Sequence, residues 1–255
     1  DGTLDSTTTK ATLVTAADYL KDSHSYIRSN IENRYSNLGI SATIPSFESY
    51  AFKLSTTEFC STCLYVIVGS SGTILTSSTA TSWISATSGT SQELYDITYD
   101  NSSFVVVGGG GTIVTSSNGT LWALKTSSTT NDINGITFAN STFVAVGNSG
   151  TILTSSDSSS WTSRTSGTNY DLLAIAYGNS IFIVPTESQA ERLLTSSNGT
   201  SWSTGGLPQS PSLYGVTYGN SNFVGMGDND IRTSSDNGAN WTSRTTGTSN
   251  SLRDV

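Results

Sequence analysis

Five tryptophans divide most of this chain into units of nearly equal length. Successive tryptophans are 39, 39, 41 and 39 residues apart, and they are Trp83, Trp122, Trp161, Trp202 and Trp241. Each ends a variant of one phrase, which reads TSSTATSW at 76–83 and TSSDNGANW at 233–241. Self-similarity at a fixed period near 40 residues is typical of chains that repeat one supersecondary unit. This period constrains the fold more than any local pattern does.

Each unit contains four short segments with strand character. In the third copy they read INGITF, TFVAVG, GTILTSS and WTSRT, which are rich in β-branched and aromatic residues. The joints between them are built from Asn, Gly, Ser and Asp, which turn the chain. Four antiparallel strands per unit predict an all-β fold, a β-propeller of about five four-stranded blades. A stacked β-solenoid is the alternative, but its coils are usually shorter and its strands parallel.

The repeat predicts a propeller domain over residues 47–255. Its blades, numbered 1 to 5, are expected at about 54–92, 93–131, 132–170, 171–211 and 212–250. Blade 1 is degenerate before YVIVG. The sequence SLRDV at 251–255 matches the opening strand of a blade, as in SLYGV at 212–216. It either begins a sixth blade or, as we prefer, pairs into the incomplete blade 1 and closes a ring of five.

Residues 1–46 do not repeat and are expected to form a separate, helical segment. Apolar residues fall near a 3.6-residue spacing, at Ala16, Leu20, Ile27, Ile31 and Leu38. Such an apolar stripe either packs against the propeller or anchors the protein to another chain. The chain begins at Asp1 rather than Met, so we expect a processed product or a fragment.

The repeated phrase resembles the Asp-box, or BNR, motif, Ser/Thr-x-Asp-x-Gly-x-x-Trp. Blade 5 matches it in full, and the other blades match it in part. The matching residues are Ser234, Asp236, Gly238 and Trp241; Ser155, Asp157 and Trp161, with Ser159 in the glycine place; Asn118, Gly119 and Trp122; Asn198, Gly199 and Trp202; and Ser77 and Trp83. The resemblance implies that each box caps the hairpin between the third and fourth strands of a blade. These residues are accordingly predicted to be structural.

Sialidases are the best-known enzymes that contain Asp-boxes, and they need three arginines that converge on a substrate carboxylate. Arg164 and Arg244 each follow a box Trp by three residues, so they occupy one repeated position and should point outward from different blades. An enzyme that acts on glycosides would need two carboxylates in one cleft. Asp96, Asp132 and Asp171 are the candidates, but solvent-exposed acids at strand starts are the preferred interpretation. We therefore predict that the protein is not an enzyme.

Neither a metal site nor a cofactor is predicted. Cys60 and Cys63 form a single C-x-x-C without the second pair that a structural zinc site needs. His24 is the only histidine and lies far from them in sequence. The two cysteines are interpreted as small residues of the degenerate blade 1, or as a local disulfide.

Composition restricts the partners. The chain carries 19 acidic and 11 basic residues, with only 12% charged residues, so a nucleic-acid partner is not expected. The sequence contains no apolar run long enough to span a bilayer. A surface of Ser, Thr, Asn and Gly is typical of extracellular proteins.

These features together resemble the appendage proteins of bacteriophage tails and bacterial surface proteins. The resemblance implies a non-enzymatic virion structural protein of a tail, baseplate or fibre. Residues 1–46 would join other appendage subunits in an oligomer, and the propeller would bind a host-surface glycan or protein. Other Asp-box propellers are assembly factors for photosynthetic complexes, sorting receptors and carbohydrate-binding modules. A secreted or periplasmic assembly or adhesion factor is therefore the first alternative, and a sialidase-like glycoside-acting enzyme is the second.

Overall fold

A computed structural model describes residues 64–100, 103–187, 193–205, 213–228, 230–248 and 250–252. The predicted helix within residues 1–46, together with His24, Cys60 and Cys63, lies outside them. The described residues form 19 strands in five antiparallel sheets, and each sheet corresponds to one repeat. The expectation of an all-β chain with one sheet per repeat is confirmed.

Four of the five sheets have four strands in simple chain order, and blade 1 shows three strands within the described residues. The strands of blades 1 and 2 are β1 (Tyr65–Gly69), β2 (Thr73–Ser77), β3 (Ile84–Thr87), β4 (Leu94–Tyr99), β5 (Phe104–Gly108), β6 (Ile113–Ser116) and β7 (Ala123–Lys125). Those of blade 3 are β8 (Ile133–Ala139), β9 (Thr142–Gly147), β10 (Thr151–Ser155) and β11 (Thr162–Arg164). Those of blades 4 and 5 are β12 (Ala176–Gly178), β13 (Ile181–Pro185), β14 (Leu193–Ser196), β15 (Ser203–Gly205), β16 (Leu213–Gly219), β17 (Asn222–Gly227), β18 (Asp230–Ser234) and β19 (Thr242–Arg244).

Two kinds of tight turn join the strands inside a blade. The first and second strands of blade 3 meet at Asn140 and Ser141, whose φ angles are 49° and 57°. Two successive positive φ angles define the type I′ turn, which matches the twist of a two-residue hairpin. The second and third strands of blades 1 to 3 are joined by single 3-10 turns at Ser70–Gly72, Gly109–Gly111 and Asn148–Gly150.

The cores of the described residues lie between successive sheets. One cluster joins blades 1 and 2 through Val66, Ile74, Ile97 and Phe104. Equivalent clusters join blade 3 to blade 4 and blade 4 to blade 5. The second strand is the most buried element, since every residue of β5 is buried, whereas the short fourth strands are mostly exposed. The fourth strands therefore present most of their side chains to solvent.

By their internal contacts, the described residues divide into two compact units. The first contains residues 64–106 and 114–124, and the second contains residues 107–113 and those from 125 onward. At the end of the second unit, Leu252 N–H donates to Gly227 O at 3.0 Å. This bond repeats the one from Leu172 N–H to Gly147 O, with which the chain enters blade 4. Residues 250–252 thus lie where the opening strand of a further blade would begin.

Candidate functional site

The serine that opens each box organises the turn between the third and fourth strands. In blade 2, Ser116 Oγ accepts hydrogen bonds from Asn118 N–H at 3.2 Å and from Gly119 N–H at 2.8 Å. Ser77 accepts the equivalent bonds from Thr79 and Ala80. These bonds satisfy backbone donors that the short hairpin leaves unpaired.

The Asn or Asp two residues later completes the turn. Asn118 Oδ1 accepts from Thr120 N–H and Leu121 N–H at 2.9 and 3.0 Å, and Asn198 makes the same two bonds in blade 4. Asp157 Oδ1 accepts from Ser159 and Ser160 at 2.8 and 2.7 Å. In the longer turn of blade 5, Asp236 accepts the backbone and side-chain N–H groups of Asn240. An amide and a carboxylate therefore fill the same position because the turn uses the oxygen rather than the charge.

Hydrogen bonding lowers the pKa of both box aspartates. The backbone N–H groups of Ser160 and Ser159, and then the Ser155 hydroxyl, lower the pKa of Asp157 from 3.8 to about 2. Backbone and side-chain N–H groups of Asn240, and then the Ser234 hydroxyl, lower the pKa of Asp236 to about 2. Each carboxylate is thus held ionised by its own turn, which does not suit it to donate a proton near neutral pH.

The box tryptophan closes the hairpin. Trp122 Nε1–H donates to Gly119 O at 2.9 Å, and Trp202 and Trp241 bond Gly199 O and Gly238 O at 3.0 Å. Three of the rings pack beside the first phenylalanine of the second strand, with centroids 6.1 to 6.3 Å apart in the pairs Phe104–Trp122, Phe143–Trp161 and Phe182–Trp202. Each indole joins the turn to the core of its own blade.

The assignment of Ser159 to the glycine place of blade 3 is wrong. Ser158 has a φ of 60°, as the box glycines do, and its carbonyl accepts the Trp161 N–H at 3.3 Å. The blade 3 turn is one residue shorter than the full motif of blade 5, so the left-handed residue comes one position earlier. The signal was in the sequence, because the glycine directly follows the asparagine in Asn118–Gly119.

The three candidate acids have different structural partners. Asp132 Oδ1 accepts Gly110 N–H and Asp171 Oδ1 accepts Ser149 N–H, each at 2.8 Å. Both carboxylates therefore hold the 3-10 turn of the preceding blade. Asp96 is buried in β4, where it accepts the N–H of Ile97 at 2.7 Å. Each of the three carboxylates thus accepts a backbone N–H, Asp96 and Asp132 from blade 2 and Asp171 from blade 3.

One position of the fourth strand is basic in three blades, three residues after the box Trp. Arg164 and Arg244 fill it in blades 3 and 5, and each donates from Nε to a threonine Oγ1 on the neighbouring strand, at 2.8 and 2.9 Å. Lys125 fills it in blade 2. It is half-buried and makes no hydrogen bond or ion pair to any residue that the structure describes.

Lys125 lies in an open depression of about 650 Å³. We call this feature the Lys125 depression. Its lining consists of Gly110, Gly111, Lys125, Thr126, Ser127, Ser128, Thr129, Thr130 and Asn131. All nine residues belong to the second compact unit. The lining contains hydroxyls, one amide and one ammonium group, and no apolar side chain larger than a threonine methyl.

The first compact unit has a different surface feature. Ile84, Leu121 and Leu124 are exposed to 72%, 77% and 53%, and we call them the apolar set. Blade 3 has Thr162, Ser160 and Ser163 at the equivalent positions relative to its box Trp. These three apolar residues are therefore exposed at positions that carry polar residues in blade 3.

Two kinds of feature are absent from the described ranges. Across these ranges, no three His, Cys, Asp or Glu side chains are grouped closely enough to hold a metal ion. No helix among the same residues has the length and apolarity needed to cross a membrane.

Comparison with known proteins identifies the class of fold. No protein-family model and no curated protein sequence matches the chain. Among solved structures, it is similar to YCF48 bound to D1 peptide, with a TM-score of 0.57 and 14% identity over 80% of this chain and 71% of that chain. It is similar to a chain of the nidogen/laminin complex, with a TM-score of 0.57 and 11% identity over 79% of this chain and 82% of that one.

A third similarity is to the WD40 β-propeller domain of Doa1, with a TM-score of 0.50 and 11% identity over 64% of this chain and 57% of that chain. Together with one blade-like sheet per repeat, these similarities show that the chain has a β-propeller fold. The predicted fold class is therefore confirmed. At such low identities the similarities carry the fold and not the activity.

Proposed function

We propose that this chain is a non-enzymatic, extracellular attachment protein of a virion appendage. In this proposal the Asp-box propeller binds the host surface, and the apolar set joins residues 1–46 in contacting neighbouring subunits of an oligomer. The observation that carries the proposal is the apolar set, because a contact surface for another subunit explains why blades 1 and 2 depart from the polar pattern.

The position of Leu64 supports the link between the apolar set and the preceding residues. A Cβ added to Gly119, two residues before Leu121, would lie 2.0 Å from Leu64 Cδ2. Leu64 therefore packs directly on the blade 2 box turn. On the other side, Val66 pairs with Thr76, which pairs with Ile84. The first described residue therefore lies on the turn that carries Leu121, in the same compact unit as Ile84.

The hydrogen bonds of the polar side chains support a role without catalysis. The box serines, asparagines and aspartates, and also Asp132 and Asp171, bond the backbone of turns. The oxygens of these side chains are therefore used in hydrogen bonds that stabilise the turns. The proposal therefore assigns binding to the surface and stability to the box residues.

A secreted or periplasmic assembly or adhesion factor is the second candidate. Two of the similar structures are described as YCF48 bound to D1 peptide and as part of the nidogen/laminin complex, so both are propeller-like chains found with a protein or peptide partner. This candidate shares the protein-binding role with the first and differs in where the partner resides. A monomer that captures one partner would favour it.

The test replaces the apolar set with the residues of blade 3, as Ile84→Thr, Leu121→Ser and Leu124→Ser together. We expect the full chain to be oligomeric by light scattering. The oligomer of the triple variant should dissociate at a protein concentration at least about tenfold higher than the concentration at which the full chain dissociates. The control is Tyr170→Asn, which removes an exposed aromatic ring from the second unit and restores the residue of blades 2 and 5. Equal masses for the full chain and the triple variant at all concentrations would contradict the proposed role of the apolar set.

A further inference from the structure

We propose that the Lys125 depression binds a saccharide that carries one carboxylate. The inference rests on the proposed function, because it names the chemical class of the host-surface ligand. It concerns the second compact unit, whereas subunit contact is assigned to the apolar set of the first.

Missing side chains open the depression in blade 2. Its 3-10 turn is Gly109–Gly111, whereas the equivalent turns are Ser70–Gly72 in blade 1 and Asn148–Gly150 in blade 3. The middle residue has a φ of 61° at Gly110 and of 54° and 55° at Ser71 and Ser149. Serine can therefore adopt this conformation, so the backbone alone does not require glycine at position 110.

The lining offers hydrogen bonds that the protein itself does not use. Ser127 and Thr129 bond the local backbone, as their equivalents do in blades 1 and 3. Thr126, Ser128 and Thr130 are exposed, and their hydroxyls have no partner in the described part of the chain. Three hydroxyls that can donate and accept suit the hydroxyls of a sugar ring.

Lys125 supplies the charge. Arg164 and Arg244 are held by Thr154 and Thr233, whereas Lys125, a half-buried residue in the lining of the depression, has no such partner among the described residues. The Lys125 ammonium is therefore available to a ligand carboxylate. A charge-assisted hydrogen bond to that carboxylate is stronger than one to a neutral hydroxyl.

Other charges favour a single carboxylate over a polyanion. Asp132 accepts the N–H of Gly110, a lining residue, so a protein carboxylate lies beside the depression and disfavours a second negative group on the ligand. The chain also has a formal net charge of −8, which disfavours the approach of ligands that carry many negative charges. No aromatic ring lines the depression, so the site has no stacking platform for a neutral sugar.

The probes are methyl glucuronide and methyl glucoside, which differ by one carboxylate in place of a hydroxymethyl group. Binding to the full chain is measured by ligand-observed NMR titration. We expect the glucuronide to bind with a Kd on the order of 1 mM, as suits a small open site, and the glucoside to bind at least about fivefold more weakly. Several copies in an oligomer would raise the effective affinity for a surface.

Two substitutions test the site without changing the fold. Gly110→Ser introduces the residue of blades 1 and 3 and should abolish glucuronide binding by filling the depression. Lys125→Ala should reduce glucuronide binding to the level of the glucoside. Arg244→Ala changes the equivalent position of blade 5 and should leave the affinity unchanged. Thermal melting checks that each variant is folded.

Three outcomes would overturn the inference. They are no binding of the glucuronide to the folded full chain, equal binding of both probes, and unchanged binding in folded Gly110→Ser. None of them affects the light-scattering test of the apolar set, so failure of the saccharide site is distinguishable from failure of the attachment role. If the full chain does not form an oligomer but still binds the glucuronide, the protein would be a saccharide-binding propeller that is not part of an appendage.

Discussion

At the scale of the residue, the box turn depends on where an oxygen lies and hardly on its charge. Asn118 and Asp157 accept the same pair of backbone N–H groups at distances between 2.7 and 3.0 Å. The natural repeats thus already contain the amide and carboxylate forms of one turn. Their difference should appear only where the carboxylate takes up a proton.

Asp157→Asn and Asp236→Asn together should make the protein less sensitive to acid. The folded pKa of each carboxyl, about 2, lies below the usual value of 3.8, so its contribution to stability is present above about pH 4. That contribution is lost as the pH falls toward 2, and asparagine has no proton to take up. Melting temperatures measured from pH 7 to pH 2 should fall less steeply for the double variant. An unchanged slope would contradict the assigned hydrogen bonds.

A matched pair of glycines tests the packing between blades 4 and 5. Gly178 and Gly219 end the first strands of these two blades. A Cβ at Gly178 would lie 2.0 Å from Cγ of the Tyr218 ring, whereas a Cβ at Gly219 would have no heavy atom within 4 Å. Gly178→Ala should destabilise by about 1–3 kcal/mol, and Gly219→Ala should change the free energy of unfolding by less than about 0.5 kcal/mol. Urea unfolding of both variants measures the difference, and equal values would refute the close approach.

At the scale of the element, the strands were largely predictable because each repeat has short apolar segments bounded by turns of Asn, Gly, Ser and Asp. The segment TFVAVG is the second strand of blade 3, and INGITF is its first strand apart from one added residue. Blade 4 is less regular, since its opening strand is only Ala176–Gly178, preceded by an isolated bridge from Leu172 to Thr186. The position of Ser158 was missed because a difference in turn length moves the left-handed residue without changing the composition.

The second strand should dominate the stability of each blade. Phe182 is fully buried and packs against Tyr177 and Trp202, with ring centroids 4.6 and 6.2 Å away. Phe182→Ala should lower the free energy of unfolding by about 3–5 kcal/mol. Leu121→Ser, at an exposed position, should change it by no more than about 0.5 kcal/mol. Urea midpoints for the two variants provide the measurement, and a larger effect of Leu121→Ser would show that the apolar set serves the fold.

At the scale of the whole molecule, the period of the sequence was sufficient to predict the propeller class. It was not sufficient to predict the Lys125 depression. The depression is formed by the glycine turn at Gly109–Gly111 and the loop at 125–131, which are separate in sequence, and the turn lacks side chains there. A sequence signal existed in the four consecutive glycines at 108–111, beside a strand that ends in lysine. The sequence could not show the contrast between these positions. The structure shows that Arg164 and Arg244 each have a threonine partner, whereas Lys125, at the equivalent position, has none among the described residues.

The central claim is that residues 1–46 anchor a propeller in an oligomeric appendage. The most direct measurement is the native mass, by light scattering, of the full chain and of a chain that lacks residues 1–46. The account predicts a trimer or hexamer for the full chain and a folded monomer for the truncated one. Monomers in both cases would contradict it, and a search for a protein partner of a soluble assembly factor would then take the place of the appendage proposal.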